Sequence, residues 1–494
     1  MFKVIVTLPD LCIKGINCFT WLAVFLRFCK TNIKITRHNV AIIMEIIRQA
    51  VLSWLSFRKI LFSVFLFSCL DSFLIFKPQK FSFPFSSVFV YLTENNFAAA
   101  QSGKPKLLHF PVILFMKHIK PLDSLRAIAV FLVTVSHWFS ARHVINKAPN
   151  GVIGVEVFFV LSGFLITRIL LESRLKAEEL SIGKIRALKN FFFRRALRIF
   201  PIYYLLIFTL FIFHDWTGTN IKPAFIYFVT YTSNFYFYHL KAWDGMISHF
   251  WTLAVEEQFY LLWPWIILFV NKKYLLPVIL FFVATGICSQ YLLREIEMGD
   301  ILTISCFDAF GLGALLSWLT VFKPQALISF YKIIRLFALA CLIIYFTGLY
   351  QQWVYIPLRT LVSVIALWII TYVVYMDKEE REIQFSFLLN NKLLLFIGKI
   401  SYGMYLYHRI LPSLTTEVLN RYLNNHFPLP EKYIVYVLFI ENFTLLILVA
   451  WLSWKLIEAP LLKLKKYFTY RSVVHPGKEE SLVVGNWNYL KKPL

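Results

Sequence analysis

"LTISCFDAFGLGALLSWLTVF", residues 302–322, carries a single charged side chain, Asp308. A helix needs roughly 20 predominantly apolar residues to cross the hydrocarbon core of a bilayer, so this stretch reads as a membrane span. "LLWPWIILFV" (261–270) and "LVSVIALWIITYVVY" (361–375) have the same character. The whole chain agrees with them. Of its 494 residues, 59% are hydrophobic and 16% charged, and the mean hydropathy is +0.65, a balance outside that of soluble domains. Short alternating strands are missing, which argues against a membrane β-barrel. The expected fold class is all-α, a polytopic membrane helical bundle.

From Met116 onward, apolar runs predict ten transmembrane helices, near 121–139, 152–171, 197–213, 250–270, 274–292, 302–322, 332–350, 354–375, 393–412 and 433–456. The segment 224–239, "AFIYFVTYTSNFYFYH", is short and interrupted by polar residues, so it reads as re-entrant. The distribution of Lys and Arg tests this choice, because cytoplasmic loops carry the excess. Nine Lys/Arg lie in 168–198, between the second and third spans. With 224–239 not crossing, "NKK" (271–273) and "LKLKKY" (462–467) fall on the same cytoplasmic side as that loop, and the loops near 140–150, 214–249 and 412–432 face outward. A crossing at 224–239 would invert every later loop.

Residues 1–115 differ in kind. They are rich in Phe, Lys and Ser, their apolar runs are broken by charge, and they hold 13 Lys/Arg against 4 Asp/Glu. Met116, followed by Lys117, Lys120 and a clean apolar helix, has the look of a natural start with positive flanks. The first 115 residues are therefore expected to be an atypical extension; the competing reading makes 15–29 and 60–76 extra membrane segments. The membrane domain is expected over 116–465, with a cytoplasmic basic tail over 466–494. The net charge of +24 does not point to nucleic acid, since the basic residues collect at the ends of apolar runs. Seven cysteines are scattered without ligand spacing, so no disulfide framework and no metal site are expected.

Polar residues inside such spans are costly and usually face a pocket. Arg126 and His137 in "RAIAVFLVTVSH" (126–137) are eleven residues apart, which puts both on one helix face, separated by ~16 Å along the axis. Both are expected to look into a common crevice. Alternatively, Arg126 snorkels to headgroups and His137 sits at the opposite interface. "FFFRRALRIFPIYYL" (191–205) places Arg194, Arg195 and Arg198 at the cytoplasmic mouth of the third span, and arginine favours forked recognition of phosphate. In "SHFWTLAVEEQFYLLWPW" (248–265), His249, Glu256 and Tyr260 share a stripe, and Glu257 adjoins them. Paired or hydrated, such a carboxylate orients or deprotonates something. In "GVIGVEVFFVLSGFLITR" (151–168), Ser162 lacks the Gly-x-Ser-x-Gly elbow of a nucleophile, and small residues such as Gly163 permit close helix approach. His408, at the outer end of the ninth span, reads as an ordinary interfacial residue.

"LDSLRAIAVFLVTVSHW", "GVEVFFVLSGFLIT", "RRALRIFPIYYL", "HFWTLAVEEQFYLLWP", "GKISYGMYLYH" and "IEAPLLK", in this order over about 118–465, resemble the acyltransferase-3 family of bacterial integral membrane O-acyltransferases. The resemblance implies transfer of an acyl group, usually acetyl from acetyl-CoA, from the cytoplasmic side to a hydroxyl of an extracytoplasmic glycan or lipid-linked sugar. It implies a multi-pass protein among the lipids of the bacterial inner (plasma) membrane, without metal. The family's Arg-x10-His motif falls on Arg126 and His137, with His137 as the catalytic base. Its Arg-x-x-Arg motif falls on Arg195 and Arg198, tied to donor binding, and its paired carboxylates fall on Glu256 and Glu257. Ser124 and Ala127 stand where glycine is frequent in the family, which leaves the chemistry untouched.

Some family members carry an extracytoplasmic SGNH-type esterase domain after the last span. Only 34 residues follow Pro460, so transfer is expected to finish in the membrane domain or with a separate protein. On this reading the donor's phosphates meet Arg195 and Arg198, with Arg194 assisting, and its acyl end passes Arg126 toward His137. An imidazole with an ordinary pKa near ~6.5 can take the acceptor's proton at neutral pH or be acylated itself. Glu256 or Glu257 would orient the base or the acceptor. All of this expects one continuous cavity. The rival readings are a secondary transporter, for which the repeated halves are not visible, and a glycan-lipid flippase without acyl chemistry.

Overall fold

The computed structural model describes residues 118–351, 356–381, 386–426 and 430–468. The chain divides into two units, Met1–His109 and Phe110–Leu494, and every described residue belongs to the second. The expected N-terminal extension and most of the basic tail lie outside the described residues.

The described residues form helices and no strands. The helices of two turns or more are α1 (Pro121–Trp138), α2 (Asn150–Glu179), α3 (Lys184–Ile212), α4 (Ile221–Val229), α5 (Ser233–Leu240), α6 (Phe250–Phe269) and α7 (Lys272–Leu292), followed by α8 (Phe307–Phe322), α9 (Leu327–Tyr350), α10 (Leu358–Lys378), α11 (Lys392–Tyr407), α12 (Ile410–His426) and α13 (Glu431–Ser453). Local signals place several of the starts. Pro121 opens α1 with Asp123 in its first turn, which suits the free amides and positive end of a helix N-terminus. The side chains of Asn271 and Asn391 accept from the backbone N–H of Lys273 and Leu393 and so cap α7 and α11.

Each of the ten predicted spans falls on a helix. Among the described residues, seven stretches are long and apolar enough to cross a membrane. The three others, α1, α6 and α11, carry the polar residues discussed below. α2 and α3 are longer than predicted. At 30 residues α2 reaches about 45 Å, well beyond the ~30 Å of hydrocarbon, so charged "LLESRLKAEE" continues the helix outside the apolar layer. The segment 224–239 is broken into α4 and α5, nine and eight residues long, each too short to cross. Where a loop was expected near 412–432, α12 runs over Ile410–His426; its mix of apolar and polar residues lacks the hydropathy of a span.

α2 is the centre of the bundle, packed against α1, α6, α8 and α10. Its closest neighbour is α8, and the reason is two glycines. A Cβ on Gly163 would stand 2.1 Å from the Phe310 carbonyl oxygen, and one on Gly313 would stand 2.1 Å from that of Val160. The two backbones touch, as small residues in membrane helices allow. Around this seam Phe159, Phe164, Phe259, Trp263 and Phe310 are wholly buried, with the Phe259 and Phe310 rings stacked at 4.2 Å. α9 lies at the edge, packed mainly on α10, and exposes Ile333, Leu336, Phe337, Ile343 and Phe346, the surface expected where lipid is the solvent.

Candidate active site

α1, α2, α3, α6 and α11 enclose a cavity of about 90 Å³ whose wall includes Arg126, Ser162, Arg195, Arg198, Glu256 and Glu257. Arg126, in the second turn of α1, donates to Asp123 at 3.0 Å, and Asp123 also meets His118 at 2.7 Å. Arg195 and Arg198 are three residues apart on α3 and so share a face. Neither forms an ion pair with a carboxylate among the described residues. The Arg195 guanidinium lies 5.2 Å from the Tyr260 ring, a cation–π distance. Arg194 is exposed and is not part of this wall.

The carboxylates of α6 join the same cavity. Ser162 donates to Glu256 at 2.8 Å and accepts from the Tyr260 hydroxyl at 3.1 Å. The serine that lacked a nucleophile's setting thus has a partner on each side. Gln258 ties α6 to the α4–α5 pair, donating to the Tyr231 carbonyl at 2.8 Å and to Asn234 at 2.9 Å. Five of the six expected site residues are therefore brought together: Arg126, Arg195, Arg198, Glu256 and Glu257.

The sixth is elsewhere. His137, in the last turn of α1, is exposed and lines a second cavity, about 520 Å³, between α1, α12 and α13, with Trp138, Thr416, Asn420, Phe439 and Asn442. Its Nδ1 lies 2.9 Å from His408 Nε2. His408 is buried at the end of α11, with its Nδ1 2.7 Å from the Tyr405 carbonyl oxygen. Trp138 Nε1 donates to the His408 carbonyl at 2.6 Å. His249 closes the far side, its ring 4.9 Å from that of His408 and its Nε2 donating to the Leu406 carbonyl at 3.0 Å.

The expected single crevice is thus two cavities. Between them stand Tyr405, whose hydroxyl meets Thr252 at 2.5 Å, and His408, which meets His137. Thr252 and Tyr405 line the arginine cavity, and the Tyr405 ring lies 5.2 Å from that of His408. Arg126 faces Ser401, Tyr402 and Tyr405 of α11 across the first cavity, whereas His137 meets His408 at the end of the same helix, so α11 runs alongside α1 from one to the other.

Another polar cluster escaped the sequence reading. Glu156 on α2, 1% exposed, accepts from Arg359 Nε at 2.6 Å and from Ser363 at 2.8 Å. Arg359 also donates to the Asp300 carbonyl at 2.5 Å, and Thr360 donates to Asp308 at 2.6 Å. Asp308, the one charge in the apolar run at 302–322, thus sits beside this cluster with Thr360 as a donor. His408 and Arg359 had no local signal: their partners stand 271 and 203 positions away.

Comparison with known proteins fits this architecture. Residues 119–455 match the family model described as an acyltransferase domain. Peptidoglycan O-acetyltransferase OatA of Listeria monocytogenes is 31% identical over 334 residues, covering 61% of this chain and 51% of that protein. O-acetyltransferase OatA of Staphylococcus aureus is 29% identical over 380 residues, covering 70% of this chain and 58% of that protein. The chain spans about half the length of these curated relatives. No solved structure matches it. With the match covering most of the bundle, from α1 to the end of α13, the chain belongs to the acyltransferase-3 family.

Proposed function

We propose that this protein moves an acetyl group from acetyl-CoA on the cytoplasmic side of the bacterial inner membrane to a hydroxyl of an extracytoplasmic glycan. The observation that carries the proposal is the pair of guanidinium groups, Arg195 and Arg198, on one cavity wall with no ion pair among the described residues, while the His137 imidazole lines a second cavity. Unpaired guanidinium forks suit phosphate oxygens, and a positioned imidazole suits a proton leaving a hydroxyl. The nine Lys/Arg of 168–198 support a cytoplasmic arginine end.

In this reading Arg195 and Arg198 bind the donor's phosphates, with Arg126 on the wall of the same cavity. Glu256 and Glu257 belong to the donor side. Glu256 fixes Ser162 and Tyr260 and thereby the wall beneath Arg195; Glu257 adds a second carboxylate near the same guanidinium group. Neither orients His137. The acceptor enters the wider cavity, where Asn420, Asn442 and Thr416 offer hydrogen bonds and Trp138 and Phe439 offer ring faces. His137 takes the hydroxyl proton while the hydroxyl oxygen bonds the acyl carbon, the thioester C–S bond breaks, and the proton leaves with the thiol. For the two substrates to meet, the Thr252–Tyr405 contact must part.

Among glycans, peptidoglycan is the acceptor class we favour, because one relative is named for it. Incubating the purified protein with radiolabelled acetyl-CoA and peptidoglycan fragments tests the proposal. The expected products are a base-labile ester on the glycan and free coenzyme A. Glycan binding with no ester, under conditions where the donor binds, would replace the enzyme with a flippase.

A further inference from the structure

We propose that His408 is a positioning residue for His137, holding its ring in the tautomer that leaves Nε2 as the basic nitrogen. The inference rests on the acyl-transfer reading above, and it follows from counting donors and acceptors. A backbone carbonyl can only accept, so the His408 Nδ1 facing the Tyr405 oxygen at 2.7 Å carries the hydrogen. His408 is 0% exposed, and among the described residues no carboxylate is one of its hydrogen-bond partners; burying it charged would be costly, so the ring is neutral. A neutral imidazole with hydrogen on Nδ1 has a bare lone pair on Nε2. That nitrogen is 2.9 Å from His137 Nδ1, which must therefore be the donor. The remaining nitrogen of His137, Nε2, is left as the acceptor of a proton.

The surroundings make this a clamp. The residue next to the base, Trp138, donates to the carbonyl of His408 itself at 2.6 Å, so the end of α1 is held to the end of α11 through both the ring and the backbone of one residue. His249 packs edge-on against the His408 ring, with an interplanar angle of 72°. His408 therefore acts on the reaction through His137, in the logic by which a third group orients a base in nucleophile–base–orienter arrangements.

The test compares His408→Phe, which removes the acceptor facing His137, with His408→Gln, whose amide oxygen can occupy the place of Nε2. Both are assayed in the full chain with radiolabelled acetyl-CoA and peptidoglycan fragments, alongside donor binding and thermal stability. His408→Phe is expected to lower kcat by about 10²-fold, the lower range for general-base catalysis, with KM and donor binding within about twofold of wild type. His408→Gln is expected to recover most of the loss. Where His408→Phe does not fold, His408→Asn replaces it, since its shorter amide reaches the Tyr405 carbonyl but not His137, and the expected ranking is Gln above Asn. A kcat for the Phe or Asn variant within about threefold of wild type, or Gln no better than either at equal stability, overturns the proposal. Full activity in His137→Ala, or no ester from wild type, would instead remove the acyl-transfer reading itself.

Discussion

Gly163→Ala probes the seam on which the arginine cavity is built. The added Cβ would stand 2.1 Å from the Phe310 carbonyl oxygen and 2.8 Å from its carbon, whereas ordinary contact begins at 3.4 Å. α2 and α8 would have to separate locally by about 1.3 Å. No side chain can turn aside, because the obstacle is backbone and the reciprocal contact at Gly313 is backbone as well. Overpacking a tight interior typically costs about 1–3 kcal/mol, here at the upper end, and the better helix propensity of alanine returns about 1 kcal/mol. The net is a loss of about 2 kcal/mol and a melting temperature lower by several degrees. The damage also reaches the site, because the adjacent Ser162 hydroxyl holds Glu256 at 2.8 Å and a shift of that size breaks the bond. Thermal unfolding in detergent and donor binding are the assays. Gly403→Ala is the control: its Cβ would meet that of Ala450 at 3.4 Å, so stability should hold or rise. Gly163→Ala melting with wild type, or melting above Gly403→Ala, would show that the α2–α8 seam has room for a methyl group.

Two further outcomes are expected. Arg359→Leu leaves Glu156 buried without its cation and should destabilise the fold by about 3–5 kcal/mol, with Glu156→Gln in the same chain restoring part of the loss; a single variant as stable as wild type in thermal unfolding would contradict this. Arg195→Lys keeps the charge but loses the fork and the approach to the Tyr260 ring, so radiolabelled acetyl-CoA should bind about tenfold more weakly; undiminished binding would remove phosphate recognition from Arg195.

What the sequence made legible follows from how local each signal is. A span is a continuous property of about 20 neighbouring residues, and every predicted span fell on a helix. The arginine cavity was half legible. Arg195 and Arg198 share a helix face by spacing alone, as do Glu256 and Tyr260, but Ser162, the hydroxyl between Glu256 and Tyr260, comes from another helix and had no marker. Arg126 and His137 fall on one face of α1 by spacing, yet a face shared over eleven residues becomes one crevice only where no helix packs alongside it, and α11 does. His408 reads as interfacial in the sequence because a helix-end histidine looks the same whether it meets water or a second imidazole. α12 carries no signal of a span because polar residues interrupt its apolar ones.

The most direct test of the central claim, that donor binding and proton abstraction reside in two separate cavities, is to measure acetyl-CoA affinity and ester formation together in wild type, Arg198→Ala and His137→Ala. His137→Ala should bind the donor within about twofold of wild type and form no ester, while Arg198→Ala should bind about 10–100-fold more weakly, the worth of one charged hydrogen bond. Ester formation at the wild-type rate by His137→Ala, or full donor affinity in Arg198→Ala, would contradict the account.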